Sequence, residues 1–233
     1  MPADPPGARP ESLRAAVQEA RGAVKVFPLP GVVVLPGTPT LLHVFEPRYR
    51  AMTADALATD RVMAVATLRS GEGAAQARAA VHPVAGAGFI EADERLPEGR
   101  FNIVLRGVSR VRLVEELDRG KPYREFQVEV LEDRYPPGGP EALQGQVEAL
   151  EQCVYELAGL LPPESGAAKL AEAAARLRSP GRLADMVGAA VVSEPDARMR
   201  VLEELDVGRR LEFVMGEVAG VILMLSRGKS PSA

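Results

Sequence analysis

VFPLPGVVVLPGTPTLLHVFEPRYRAM, residues 26–52, carries two kinds of hydrophobic periodicity in immediate succession. Its first part is punctuated by Pro28, Pro30, Gly31, Pro36, Gly37 and Pro39. Between these breakers lie two apolar runs of strand length, Val32 to Leu35 and Leu41 to Phe45, both rich in β-branched or large side chains. The period then changes. Phe45, Tyr49, Met52 and Ala56 are spaced by four, three and four, which predicts one apolar face of a helix. Pro47 suits the first turn of that helix, where a missing N–H costs nothing. The expected layout is strand, turn, strand, turn, helix, and no catalytic residue is visible in it.

Composition narrows the class. A chain of 233 residues with 46% hydrophobic and 26% charged residues is ordinary for a globular protein and can bury a real core. The longest apolar run, Val218 to Leu225, is interrupted by Gly220 and falls far short of the roughly 20 residues that span a bilayer. The opening MPADPPGARP holds acid and proline where a secretory signal needs a basic end and an apolar run. One cysteine excludes an internal disulfide and fits a reducing compartment, so the expected location is the cytoplasm. Residues 25–134 hold 15 basic and 15 acidic side chains, and no basic stripe for a phosphate backbone occurs in them. Aromatic residues make up only 4%, with no Trp to stack bases. Nucleic acid and membrane are therefore not expected partners.

Along the chain, residues 1–24 read as a leader holding a short, weakly packed helix from Glu11 to Arg21. Val62 to Leu68 is a continuous apolar run of strand length, and 70–80 is small and polar, a loop. Four strand candidates follow. Val84 to Glu91 contains Gly86 and Gly88, which predict a bulge or a close backbone approach. After the turn Leu96-Pro97-Glu98-Gly99, Phe101, Ile103 and Leu105 alternate with polar neighbours. Gly107 is expected to reset the chain, and Val111 and Leu113 then alternate with Arg110 and Arg112. Phe126, Val128 and Val130 alternate strictly with Glu125, Gln127 and Glu129, the pattern of a half-buried strand. Strands at this spacing predict a compact antiparallel sheet or partial barrel.

The character switches at Tyr135-Pro136-Pro137-Gly138-Gly139-Pro140, so a β-rich subdomain is placed at 25–134, a helical bundle at 135–228 and a tail at 229–233. Leu143, Val147, Leu150, Val154, Leu157 and Leu161 form one stripe on a long helix ended by Pro162-Pro163. A short Ala-rich helix follows over 167–177. Ser179-Pro180 predicts a cap and a helix-starting proline, and Ser193 with Asp196 an acidic variant of the capping box. The last helix carries Leu211, Val214, Val218, Val221, Ile222 and Leu225 on one side.

The strings FPLPGVVVLPGTP (27–39), LHVFEPRYRAM (42–52) and LPEGRFNIVLRGVSRVRL (96–113), with RLADMVGAAV (182–191) and RVLEELDVGRRLEFV (200–214), resemble the N-terminal substrate-recognition domain of Lon proteases. The resemblance is strongest to stand-alone bacterial proteins made of that domain, and it covers residues 25–227. It implies an α+β fold: a β-rich pseudo-barrel related to PUA-type modules, with one inserted helix, followed by a helical bundle. It also implies a non-catalytic role in binding peptides or unfolded protein segments. Full Lon proteases add an ATPase and a Ser–Lys peptidase. Gly228-Lys229-Ser230 shares the end of a phosphate-binding loop, but Leu223 stands where its first glycine belongs.

Individual residues offer little chemistry. His43 and His82 are the only histidines, neither beside a nucleophile, and with Cys153 they give no metal spacing. His43 reads as a hydrogen-bonded structural residue, Cys153 as a small buried hydrophobe. Glu46, Arg48 and Arg50 read either as a charged rim orienting a peptide or as a helix cap with a local ion pair. Arg106, Arg110 and Arg112 read as the solvated face of a strand pair. Peptide contact falls to Phe45, Arg48 and Tyr49, with no catalytic, cofactor or metal residue expected. The rival roles are an adaptor for a folded protein partner and an RNA-binding PUA-like module, and a homo-oligomer remains open.

Overall fold

The computed structural model describes residues 15, 17–20, 22–69 and 79–228, which form two compact units, Met1–Leu131 and Glu132–Ala233. In the first unit the strands are β1 (Val24–Leu29), β2 (Pro39–Val44), β3 (Val62–Thr67), β4 (Val84–Arg95), β5 (Phe101–Leu117) and β6 (Arg124–Leu131). Helix α1 (Pro47–Ala58) lies between β2 and β3. The sheet order is β2-β5-β4-β3-β1-β6, and β5 pairs a second time, with β6. That second pairing closes β1, β3, β4, β5 and β6 into a ring and leaves β2 outside it. β1 and β3 are parallel, so the chain must cross over between them, and the crossover carries β2 and α1.

The 17-residue β5 makes this topology work. Its first half pairs with β2 over Phe101 to Arg106, and its second half pairs with β6 over Arg110 to Leu117. Register shifts at Ala87/Gly88 and Ile90/Ala92 on the β4 side, and at Leu113/Glu115 against β6, bend it from one partner to the other. Gly107 does not end the strand: β5 continues through it, and one of the register shifts against β4 falls directly beside it, between Gly107 and Ser109.

Gly107 answers a different need. A Cβ there would lie 2.2 Å from the carbonyl oxygen of Leu35, and one on Gly86 would lie 2.0 Å from that of Val34. The segment 32–35, expected as a strand, belongs to no strand; its Val33, Val34 and Leu35 are buried, and the carbonyls of Val34 and Leu35 face these glycines. Two of its carbonyls find side-chain partners: Thr67 Oγ1 donates to Val32 O at 2.7 Å, and Thr38 Oγ1 donates to Leu35 O at 2.7 Å. Burial is shared by strands and by such irregular segments, so hydrophobicity alone cannot separate them. The first strand among the described residues is instead Val24–Leu29, with Pro28 inside it.

β3 is buried at all six positions because both faces of the ring are covered. Met63 and Val65 belong to one core cluster with Phe27, Tyr49, Met52 and Ile103. Val62, Ala64 and Ala66 belong to the other, with Val26, Ala85 and Val111. Val17 is fully buried in the second cluster, whereas the sequence suggested weak packing for its helix. Residues 11–14, 16 and 21 of that expected helix, the loop over 70–78 and the tail over 229–233 lie outside the described residues. Arg110 departs from the expected solvated face: it is 3% exposed, while Arg112 pairs in solvent with Glu129 at 2.6 Å.

In the second unit the helices are α2 (Gln144–Leu160), α3 (Ala167–Arg176), α4 (Pro180–Val191), α5 (Pro195–Glu203) and α6 (Val207–Gly228). The expected stripe on α2 buries Val147, Leu150, Val154 and Leu157, and Cys153 beside it is half-buried, with its thiol pKa raised by desolvation. Ser179 Oγ accepts from Arg182 N, as a cap should. The box expected at Ser193 and Asp196 does not form. Pro195 opens α5 and makes Glu194 the N-cap, one residue too late for Ser193. On α6 the stripe is buried through Val218 and half-buried at Val221, Ile222 and Leu225.

Candidate functional site

β2 is the strand left out of the ring, and its composition is apolar on both faces. Leu42 and Val44 point into the first core cluster. Leu41 and Phe45 point the other way and are 82% and 60% exposed. His43, between them, is also exposed. On one side β2 pairs with β5; on the other, among the described residues, no strand pairs with it. Such an edge offers unpaired backbone donors and acceptors to another chain.

The outer face is ordered in rows across three strands. Leu41, Val104 and Ala92 are cross-strand neighbours, and so are His43, Asn102 and Glu94. In the second row His43 Nδ1 lies 2.8 Å from Asn102 Oδ1, and Asn102 Nδ2 donates to Glu94 Oε2 at 2.9 Å. The His43 ring stacks on Phe45 with centroids 5.9 Å apart. At the start of β2 an ion pair of 2.8 Å joins Arg106 to Glu91. The surface is thus an apolar strip, Leu41 with half-buried Val104, bordered by polar side chains already paired to each other.

The residues singled out from sequence divide. Phe45 lies off the buried face of α1 and forms the end of the exposed strip, so the helical spacing that grouped it with Tyr49 does not place it in the core. Tyr49 is buried, its ring 4.5 Å from that of Phe27, and burial raises its phenol pKa. Arg48 stands between them in exposure, its guanidinium 4.6 Å from the Tyr49 ring centroid and 3.0 Å from Glu46. Glu46 is the N-cap of α1 but makes no side-chain cap bond, so of its two expected structural tasks it performs the ion pair. Arg50 donates to the carbonyl of Glu98 in the β4–β5 turn, where Glu98 adopts a left-handed φ of 64°. Leu41 and His43 were not singled out as contacts. Alternation could have found them, but a strand apolar on both faces hides which face is wet.

Elsewhere the titratable groups are ties. Asp55 on α1 accepts from Tyr123 at 2.6 Å and from Lys121 at 2.9 Å. These bonds hold its carboxyl below the usual range, and burial with the same bond holds the Tyr123 phenol above its own. Among the described residues, no group of three His, Cys, Asp or Glu could hold a metal ion, and no helix is long and apolar enough to cross a membrane.

Comparison with known proteins agrees with this architecture. The chain is 26% identical over 210 residues to a Lon protease of Heliobacterium modesticaldum and 29% identical over 192 residues to Lon protease 2 of Myxococcus xanthus. These alignments cover 89% and 82% of this chain but 24% and 22% of the relatives, so it spans about a quarter of their length. Two solved structures share the fold. The Lon N-terminal domain protein of Xanthomonas campestris has a TM-score of 0.58 at 20% identity, covering 83% of this chain and 97% of its own. The N-terminal domain of a Mycobacterium avium complex Lon protease has a TM-score of 0.67 at 19% identity, covering 84% and 98%. The model of the substrate-binding domain of ATP-dependent protease La (LON) matches residues 23–219, and the chain belongs to that family.

Proposed function

We propose that the chain is a non-catalytic cytoplasmic module that binds exposed, extended segments of peptides or unfolded proteins at the free edge of β2. The observation that carries this reading is the edge itself: a strand outside the ring whose outward Leu41 is 82% exposed and which is followed directly by Phe45, 60% exposed. A segment added beside β2 would gain backbone hydrogen bonds from the edge and apolar contact from these two side chains. The backbone bonds are indifferent to sequence, which suits a binder of many clients. Family membership supports the role in kind, since the family is defined by a substrate-binding domain. ATP use and proteolysis belong to the longer relatives and are not proposed for this chain.

The test is binding of fluorescently labelled, permanently unfolded polypeptides to the native chain and to Leu41→Asp and Phe45→Asp. Each aspartate is expected to weaken binding about tenfold or more by placing an unpaired charge in the contact. Unchanged affinity in both variants would rule out the β2 edge. Recovery of one stoichiometric folded partner from cell extract, in place of many clients, would favour the adaptor role.

A further inference from the structure

The outward face of β2 sets one polar side chain between two large apolar ones, and its hydrogen-bonding state is determined by its neighbours. Glu94, as a carboxylate, can only accept, so the Asn102 amide turns its NH2 to Glu94 and its carbonyl oxygen to His43. A carbonyl oxygen also only accepts, so Nδ1 of His43 must carry a proton. In the neutral imidazole the second nitrogen, Nε2, is then an acceptor. It has no hydrogen-bond partner among the described residues, and His43 is exposed. Stacking on Phe45 and the bond to Asn102 hold the ring in one orientation.

We propose that His43 is the polar specificity element of the binding edge, presenting Nε2 as an acceptor between Leu41 and Phe45. This rests on the reading of β2 as the binding strand. The ligand it fits is an extended polypeptide carrying a large apolar residue, a hydrogen-bond donor and a second large apolar residue at alternate positions. Alternation matters because side chains two apart share a face of a strand. A donor such as Thr opposite His43 satisfies Nε2; an apolar residue of equal size covers it and leaves it unpaired. An acidic residue there is disfavoured, because the lone pair of Nε2 and the charge of Glu94 behind it both repel an acceptor. Asn102 and Glu94 act through His43 and are positioning residues.

Two short alternating Leu peptides that differ only in a central Thr or Val test this against the full chain. The Thr peptide is expected to bind about three- to tenfold more tightly. In His43→Phe that preference is expected to fall to unity with the Val peptide unaffected; in Asn102→Leu it is expected to shrink without vanishing, because a threonine hydroxyl also accepts from an Nε2–H. Nitrogen NMR shifts of the His43 ring should report the Nδ1–H tautomer in the native chain and a mixture in Asn102→Leu. Leu41→Asp should weaken both peptides alike. Equal binding of the two peptides, or an Nε2–H tautomer, overturns the role of His43; if Leu41→Asp still weakens both, the edge survives as the site. Binding of neither peptide overturns both readings.

Discussion

Gly181 and Arg210 meet so closely that a Cβ on the glycine would lie 2.7 Å from the arginine Nη2. Arg210 is the largest fully buried side chain among the described residues. It forms a bidentate pair with Asp133 at 2.9 and 2.8 Å, donates to the carbonyl of Glu204 at 2.9 Å, and lies 3.4 Å from buried Asp185. The same Cβ would approach Asp133 Oδ2 to 2.3 Å. α4 can pass this network only with a glycine at its second residue.

Gly181→Ala should therefore displace the ion pair and destabilise the helical unit by about 3 kcal/mol or more. Arg210→Met, which removes the fully buried cation from beside Asp133 and Asp185, should cost about 3–5 kcal/mol. Urea unfolding followed by circular dichroism measures both. A loss below 1 kcal/mol in Arg210→Met, to order of magnitude on the same scale, would mean the carboxylates find water instead.

The glycines sort into two groups by what surrounds them. Gly86→Ala and Gly107→Ala would drive a methyl into the carbonyls of Val34 and Leu35, and each should cost about 3 kcal/mol or prevent folding. Gly216 and Gly220 lie on α6 with nothing within 4 Å of an added Cβ. Their alanine variants should stabilise by about 0.5–1 kcal/mol each through helix propensity and a less flexible unfolded chain. Denaturation midpoints moving in opposite directions would confirm the contrast.

The Asp55–Tyr123 bond makes stability depend on pH at two ends. Asp55 has a depressed folded pKa, so its contribution is present above its unfolded value, about 4, and is lost as pH falls through the folded value. Tyr123 has a raised one, so its contribution is present below about 10 and is lost as pH rises through the folded value. Asp55 and Lys121 side chains are 42% and 46% exposed, so solvent screens their part of the effect. Tyr123→Phe should lower stability by about 1 kcal/mol near neutrality, and the deficit should vanish in acid, where Asp55 is protonated. Melting temperatures of both proteins across pH would show whether the curves converge.

Neighbouring residues of β2 should respond in opposite ways to truncation. Leu41→Ala removes an exposed side chain and should change stability by no more than about 0.5 kcal/mol. Leu42→Ala opens a cavity beside Ile103 and should cost about 3 kcal/mol. Comparable losses in the two variants would indicate that Leu41 is covered by some other part of the chain.

Sequence by itself determined the elements whose pattern is local. The stripe of α2, the Ser179 cap, the alternation of β6 and the turn at Pro97 all depend on spacings of a few residues, where backbone geometry alone sets which side chains share a face. Motif strings in 27–52 and 96–113 also pointed to the family before any contact was known. Tertiary structure alone decided what depends on distant partners. Val32 to Leu35 pass outside every strand where Gly86 and Gly107 leave room for the carbonyls of Val34 and Leu35, and nothing within the run reveals that. Arg110 is buried although its neighbours read as a wet strand face, and Phe45 faces solvent although its spacing matched a buried helix face. The exposed edge of β2 exists because β5, from 101 to 117, pairs with β2 early and with β6 late, closing the ring without β2. Which strand is left over is a property of ring closure among segments far apart in the chain, and no local pattern records it.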